Sequence, residues 1–356
     1  MGKIINGIQQ IGIGVSDAKA VFNWYRKHLG FDILVFEDES TAELMTKYTD
    51  GTPQSRYALL ALNMIGGGGL EIWQFRGRKP QPPKTSFQLG DLGINIMKIR
   101  SSKIQEMHGR LKGLQLPLVT SIDETNENNS PHFFFTDPWG NLVEIIDDAY
   151  CFTPSKSICG GVLGVVIGVR NMEDSVRFYQ NLLGYKTVVN DRTGSFDDFH
   201  ELPNGKLSFR RVLLKHPLRA VGGFGELLGP TEIELVQVLD RTPIKLYKDR
   251  LWGDLGYIHL CFDIHGMNAL REEAKSMGHA FTVDSANSFD MGDAAGHFSY
   301  VEDPDGTLIE FVETHKVPIL KSLGIFIDLE KRNPTKPLPK WLVKSMKIHR
   351  VRKDLN

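Results

Sequence analysis

Cysteine is scarce in this chain. Cys151, Cys159 and Cys261 are the only three in 356 residues, too few and too scattered for a disulfide framework or a thiolate zinc site. We read all three as small buried apolar residues in a reducing, hence cytoplasmic, compartment. No apolar run approaches membrane-spanning length, and Met1-Gly2-Lys3-Ile4-Ile5-Asn6 lacks the core of a secretion signal. A basic excess is missing too: the formal net charge is -1, which argues against a general nucleic-acid binder. The remaining composition, 41% hydrophobic and 24% charged, is that of a soluble protein with room for two cored domains. A small-molecule partner, with the chain as a monomer or homodimer, fits these limits.

The chain does contain self-similarity. Two helix starts read Val15-Ser16-Asp17 … Trp24-Tyr25 … Leu29-Gly30-Phe31 and Val169-Arg170-Asn171 … Phe178-Tyr179 … Leu183-Gly184-Tyr185. Two late hairpins read Asp137-Pro138-Trp139-Gly140 and Asp303-Pro304-Asp305-Gly306, each followed by an apolar strand with a glutamate in it. Repetition at this scale decides the architecture before any single residue does.

Ile8–Val15 alternates with period two, as a half-buried strand should, and Asp17 is placed to cap a helix that stops near Gly30. Strands follow at Arg56–Leu62 and Leu70–Phe75, separated by Gly66-Gly67-Gly68-Gly69. A second unit runs from about Leu92 to Ile146, a third from about Gly161 to Leu239 and a fourth from about Leu255 to Val312. Tyr150–Lys156 reads as the linker, giving domains over 1–150 and 157–316 and an extension over 317–356. Each unit is too small to cover both faces of its own sheet, so units must pair. The Gly66–Gly69 run and the Arg219–Pro230 loop are placed as connections flanking the mouths of the paired sheets, with mobile lids as the other reading.

Four βαβββ modules with these motifs resemble the vicinal oxygen chelate superfamily of glyoxalase I, extradiol dioxygenases, methylmalonyl-CoA epimerase, and fosfomycin and bleomycin resistance proteins. The resemblance covers residues 7–314. It implies an α+β fold in which paired modules form cup-shaped curved sheets, with a divalent metal held by the first and last strands of each module. It also implies that module one pairs with module four, and module two with module three.

On that pairing, Gln10, Glu71, His259 and Glu310 share one cup, a set that resembles the metal sphere of glyoxalase I. The other cup holds Glu144 and Glu234, with His132 as an extra imidazole, because Gly164 and either Gly93 or Ile94 occupy its first-strand ligand places. Two carboxylates, an imidazole and an amide oxygen suit Zn, Ni, Fe, Mn or Co. By position Glu310 matches the catalytic base of glyoxalases, and Glu71 is its symmetry mate. Tyr300 lies across the hairpin from Glu310, where extradiol dioxygenases carry a tyrosine, whereas His297 is out of phase with it and faces away. Taken alone, His259 between Ile258 and Leu260 reads as a core histidine. Glu71, Glu144, Glu234 and Glu310 lie between apolar neighbours, where a lone carboxylate is costly.

The implied activity is metal-assisted proton transfer beside a carbonyl, in the lyase or isomerase manner. An epimerase, a dioxygenase and a non-catalytic ligand-binding or resistance protein are the alternatives. Gly14 stands where glyoxalase I carries the arginine that holds glutathione, which argues against glutathione dependence. Gly164 removes a histidine that extradiol dioxygenases need.

From Lys316 onward the chain holds 11 Lys and Arg against 3 Asp and Glu, so this stretch carries +8 and the rest -9. Lys336–Ile348 reads as a proline-started basic helix, docked on the acidic body through Trp341 and Met346 or touching an anionic surface.

Overall fold

The two matching helix starts fold alike. The Asp17 carboxylate accepts the Ala20 N–H at 3.0 Å, and the Asn171 side chain accepts those of Glu173 and Asp174 at 3.0 and 3.3 Å. Gly30 and Gly184, at φ 77° in both, end these helical segments in the left-handed conformation that glycine adopts without strain.

The computed structural model describes residues 2–124, 130–216, 221–286, 289–291, 294–320 and 325–355. Its first module is β1 (Ile4–Gly14), α1 (Ala18–Leu29), β2 (Ile33–Ala42), β3 (Gln54–Leu62) and β4 (Gly69–Phe75). The second is β5 (Gly93–Ser101), α2 (Ile104–Lys112), β6 (His132–Thr136) and β7 (Leu142–Asp147). The third is β8 (Cys159–Gly168), α3 (Met172–Asn181), β9 (Thr187–Gly194), β10 (Phe209–Lys215), the short α4 (Gly225–Leu228) and β11 (Glu232–Val238). The fourth is β12 (Gly256–His265), α5 (Met267–Ser276), β13 (Val283–Asp284), β14 (Phe289–Met291), β15 (Ala294–Glu302) and β16 (Leu308–Thr314).

Modules one and four share a sheet ordered β13-β15-β16-β12-β1-β4-β3-β2, with β14 on β15. Modules two and three share another, ordered β6-β7-β5-β8-β11-β10-β9. Each sheet is therefore closed in its middle by two antiparallel first strands, β1 with β12 and β5 with β8. Residues alternate between faces as the pleat requires. Ile11, Ile13, Leu70 and Ile72 join the helices and the other sheet in one large central core. Trp73, Phe75, Trp252 and Tyr300 line the concave face of the first sheet, and Phe134, Phe199 and Phe209 that of the second.

The hairpin motif has a double task. Asp137 accepts the N–H groups of Trp139 and Asn141 at 2.9 and 2.8 Å, which shapes its own turn, and the Tyr25 hydroxyl at 2.8 Å. Asp303 does the same with Asp305, Thr307 and, at 2.9 Å, Tyr179. Each tyrosine comes from the repeated helix, so these two bonds tie module one to two and three to four across the sheets.

Three expectations need correction. Cys151 is exposed, because it sits in the linker outside both sheets, whereas Cys159 and Cys261 are buried. Gly66–Gly69 is no mouth or lid. It is buried where the sheets meet, with Gly67 N–H on Leu227 O at 2.8 Å and Gly68 paired to Val162. A β carbon on Gly67 would come 2.6 Å from the Gly161 carbonyl carbon, so only glycine allows that approach. Arg219 and Ala220 lie outside the described residues; the rest of that loop contains the single turn of α4.

The third correction concerns the extension, which forms β17 (Lys316–Leu320), β18 (Ile325–Asp328), α6 (Lys340–Ser345) and a 3-10 turn at Met346–His349. It docks through Leu338, Leu342 and Val343, with Met346 at the edge, against Ile33, Leu62, Met64 and Phe152. Trp341 points away and is 63% exposed. The helix turns its 342/343/346 side inward, which leaves residue 341 outside. Among the described residues no helix is long and apolar enough to cross a membrane.

Candidate metal centre

The strand register sets up the centre. Across β1 and β12, Gln10 lies opposite Cys261 and Gly12 opposite His259. Along the parallel neighbours, Gly12 lies beside Glu71 and Cys261 beside Glu310. A pseudo-twofold axis thus relates Gln10 to His259 and Glu71 to Glu310, and all four side chains enter the same cup. Gly12 makes room for the imidazole: a β carbon there would sit 2.3 Å from His259 Cε1.

His259 Nε2 is 3.1 Å from Glu71 Oε2 and 3.1 Å from Glu310 Oε2, and Gln10 Nε2 is 3.2 Å from Glu71 Oε2. One ligand atom from each of Glu71, His259 and Glu310 lies within 4.8 Å of the others. Adjacent ligands of an octahedral ion with bonds of about 2.1 Å are about 3 Å apart, so the spacing fits. Unmet valences fit as well. His259 Nε2, Glu310 Oε2 and Gln10 Oε1 are buried and make no aligned hydrogen bond, although such orphans cost about 1–3 kcal/mol each. His259 is fully buried. These three atoms come from three strands and converge on one place, where they could serve as ligands to a cation. The donor set, two carboxylates with imidazole and amide, accepts a first-row divalent ion.

The same geometry fixes the electrostatics. Burial alone would push the His259 imidazole down, but Glu310 and Glu71 raise it to about 10. Glu71, despite its burial, is held below the usual carboxylate range by His259 and Arg56. Burial, Glu310 and Glu71 together drive the Tyr300 hydroxyl well up, so it stays protonated. Tyr300 lies directly across from Glu310, and its ring meets the imidazole edge-on at 5.6 Å. The cup above is a cavity of about 630 Å³ with Phe36, Met45, Trp73, Trp252, Phe298 and Tyr300 as its apolar wall. Arg56, paired with Asp38 at 2.8 Å, supplies its cation.

Sequence reasoning missed Arg56, Trp252 and Cys261. The β3 alternation could have given Arg56, which shares the face of Leu60, the partner of Glu71. Nothing local points to Trp252, which reaches the cup from a loop and stacks on His259 at 15°. His297 faces away from Tyr300's side and bonds Asp284 at 2.6 Å.

The second cup is filled from within. Its first-strand ligand places are Gly164 and Ile96, not Gly93 or Ile94, because a bulge between Ile94 and Ile96 shifts the register. Lys98, beside Glu144 and opposite Gly164, drives its ammonium into the cup. Its Nζ lies 2.7 Å from Glu234, 2.8 Å from Glu232 and 3.6 Å from Glu144. Arg211 takes the other Glu234 oxygen at 2.7 Å and bridges to Asp198, which His132 Nε2 approaches at 3.4 Å. A fixed ammonium and a guanidinium stand where an ion would.

Room at Gly14 is likewise decided. A β carbon there would lie 2.0 Å from Asp254 O, so no arginine fits.

Two cups on paired modules, one with convergent ligands and one closed by its own cations, define a class of two-site scaffold with a single open centre. The chain belongs to the Glyoxalase/Bleomycin resistance protein/Dioxygenase superfamily, whose model matches residues 7–145 and 161–311. Members of this superfamily typically use a divalent metal. Glyoxalase I from Zea mays superposes with a TM-score of 0.54 at 14% identity, covering 87% of this chain and 92% of that one. A putative dioxygenase from Bacillus subtilis does so with 0.56 at 16%, covering 87% and 85%. At these identities the likeness is one of fold. Comparison with curated proteins gives no match.

Proposed function

We propose that the chain is a metal-dependent enzyme of the lyase or isomerase type that moves a proton on the carbon beside a carbonyl. Gln10, Glu71, His259 and Glu310 would hold one divalent ion, Zn, Ni, Fe, Mn or Co. Bound there, the ion would polarise the carbonyl oxygen and acidify the neighbouring C–H.

The residues divide the remaining work. Glu310, which lines the cavity, accepts the proton and returns it; Glu71 lines it as the symmetry counterpart. Tyr300, kept protonated, donates a hydrogen bond toward substrate oxygen. Trp73, Trp252, Phe36 and Phe298 exclude water and favour a substrate with an apolar body. Gly14 leaves no place for an arginine, which supports a substrate other than a glutathione adduct.

One observation carries this reading: buried ligand atoms of Gln10, His259 and Glu310, lacking hydrogen-bond partners, meet Glu71 at the base of an apolar-walled cavity. The test is exchange of the α-hydrogen of small hydroxyketones and hemithioacetals in deuterated water, followed by NMR with metal-loaded protein. Glu310→Gln should slow it by at least about a hundredfold. Oxygen consumption with catechols, and no exchange, would replace this reading with an oxygenase. Ligand binding by metal-free protein that Glu310→Gln leaves unchanged would replace it with a sequestering protein.

A further inference from the structure

The last described turns have two dissimilar faces. Leu342 and Val343 point inward with Met346. The outer face, at helical spacing, carries Lys340, Trp341, Lys344 and Ile348. Trp341 is 63% exposed and Ile348 84%, the most exposed large apolar side chains among the described residues. Lys336, Lys344, Lys347, Arg352 and Lys353 make no ion pair among those residues, and Lys340 reaches Glu226 only at 3.7 Å. This surface is held firmly. Val351 N–H bonds Asp32 O at 2.8 Å, Arg350 pairs with Asp32 at 3.1 Å, and Asn23 exchanges two bonds with Leu355 at 2.9 and 3.0 Å.

We propose that this face docks the protein on an anionic lipid bilayer. An indole and an aliphatic chain raised among lysines match the headgroup layer, where tryptophan settles at the polar boundary and lysine meets lipid phosphate. A protein partner is disfavoured by the same composition, since lysine is depleted in protein interfaces and two isolated apolar residues make no dry centre. The charge of the whole chain gives the approach a direction. From Lys316 onward the chain carries +8 and the remainder -9, so an anionic surface attracts this end and repels the body.

The test is co-sedimentation of the full chain with vesicles of phosphatidylcholine alone or mixed with phosphatidylglycerol. Binding is expected on the mixed vesicles only, and it should fade as salt rises. The double variant Lys340→Glu/Lys344→Glu should bind at least about tenfold more weakly, with its melting temperature near wild type because both side chains are exposed on the outer face. Brominated acyl chains should quench wild-type fluorescence more than that of Trp341→Phe. No binding to anionic vesicles at low salt, or binding that the double variant retains, overturns the proposal. So does preferential capture of polyglutamate that Trp341→Ala leaves unchanged, which would assign the face to an acidic protein.

Discussion

Gly12 lies face to face with His259 across the β1–β12 ladder, with no room between them for a methyl group. Gly12→Ala is therefore expected to displace the imidazole and not the strands. Cobalt titration should show metal affinity reduced at least about a hundredfold, while circular dichroism and urea unfolding stay near wild type. Unchanged affinity would mean that His259 is not a ligand.

Because Glu310 and Glu71 raise the His259 imidazole to about 10, metal-free protein at pH 7 carries a proton there. A ligand must give that proton up. Calorimetry in buffers of different ionisation enthalpy should find about one proton released per ion. Affinity should climb about tenfold per pH unit from 7 until the imidazole's own titration is reached.

Removing Lys98 leaves Glu144, Glu232 and Glu234 buried without their shared cation. Lys98→Met should lower stability by about 3–5 kcal/mol in urea unfolding at pH 7. The deficit should narrow in acid, where the carboxylates neutralise themselves. A stable variant would show that Arg211 alone balances the cup.

Asp263 sits two residues beyond Cys261 on the same face, and burial raises its carboxyl to about 7 even though Asn6 donates to it at 2.7 Å. The folded group thus keeps a proton that the unfolded chain loses near pH 4. Its contribution is intact below that point and is lost as pH rises through about 7. Asp263→Asn should raise the melting temperature most at pH 8, by up to ~4 kcal/mol in stability, and least near pH 4.

Period-two alternation and the repeated motifs made β1, the helix caps and the hairpins readable, because those signals are local. Gln10, Glu71, His259 and Glu310 could be grouped only through the family's module pairing, since no short-range pattern joins residue 10 to residue 259. Lys98 escaped notice because a bulge in β5 altered which residues enter the cup. Its setting, Ile96-Met97-Lys98-Ile99, held the clue: a lysine amid buried apolar residues needs acidic company. Trp341 was misjudged because both faces of that helix carry large apolar residues, and burial of Leu342 and Val343 decided between them.

The module pairing also sets a timetable for synthesis. Strands β5 and β8 leave the ribosome close together, whereas β1 must wait for β12, most of the chain later. Until then β1 offers a bare edge, a hazard for self-association that chaperones would have to shield. Pulsed hydrogen exchange during refolding should accordingly protect amides of the Lys98 sheet before those around Gln10, leaving the sheet that joins Gln10 to His259 as the last part to mature.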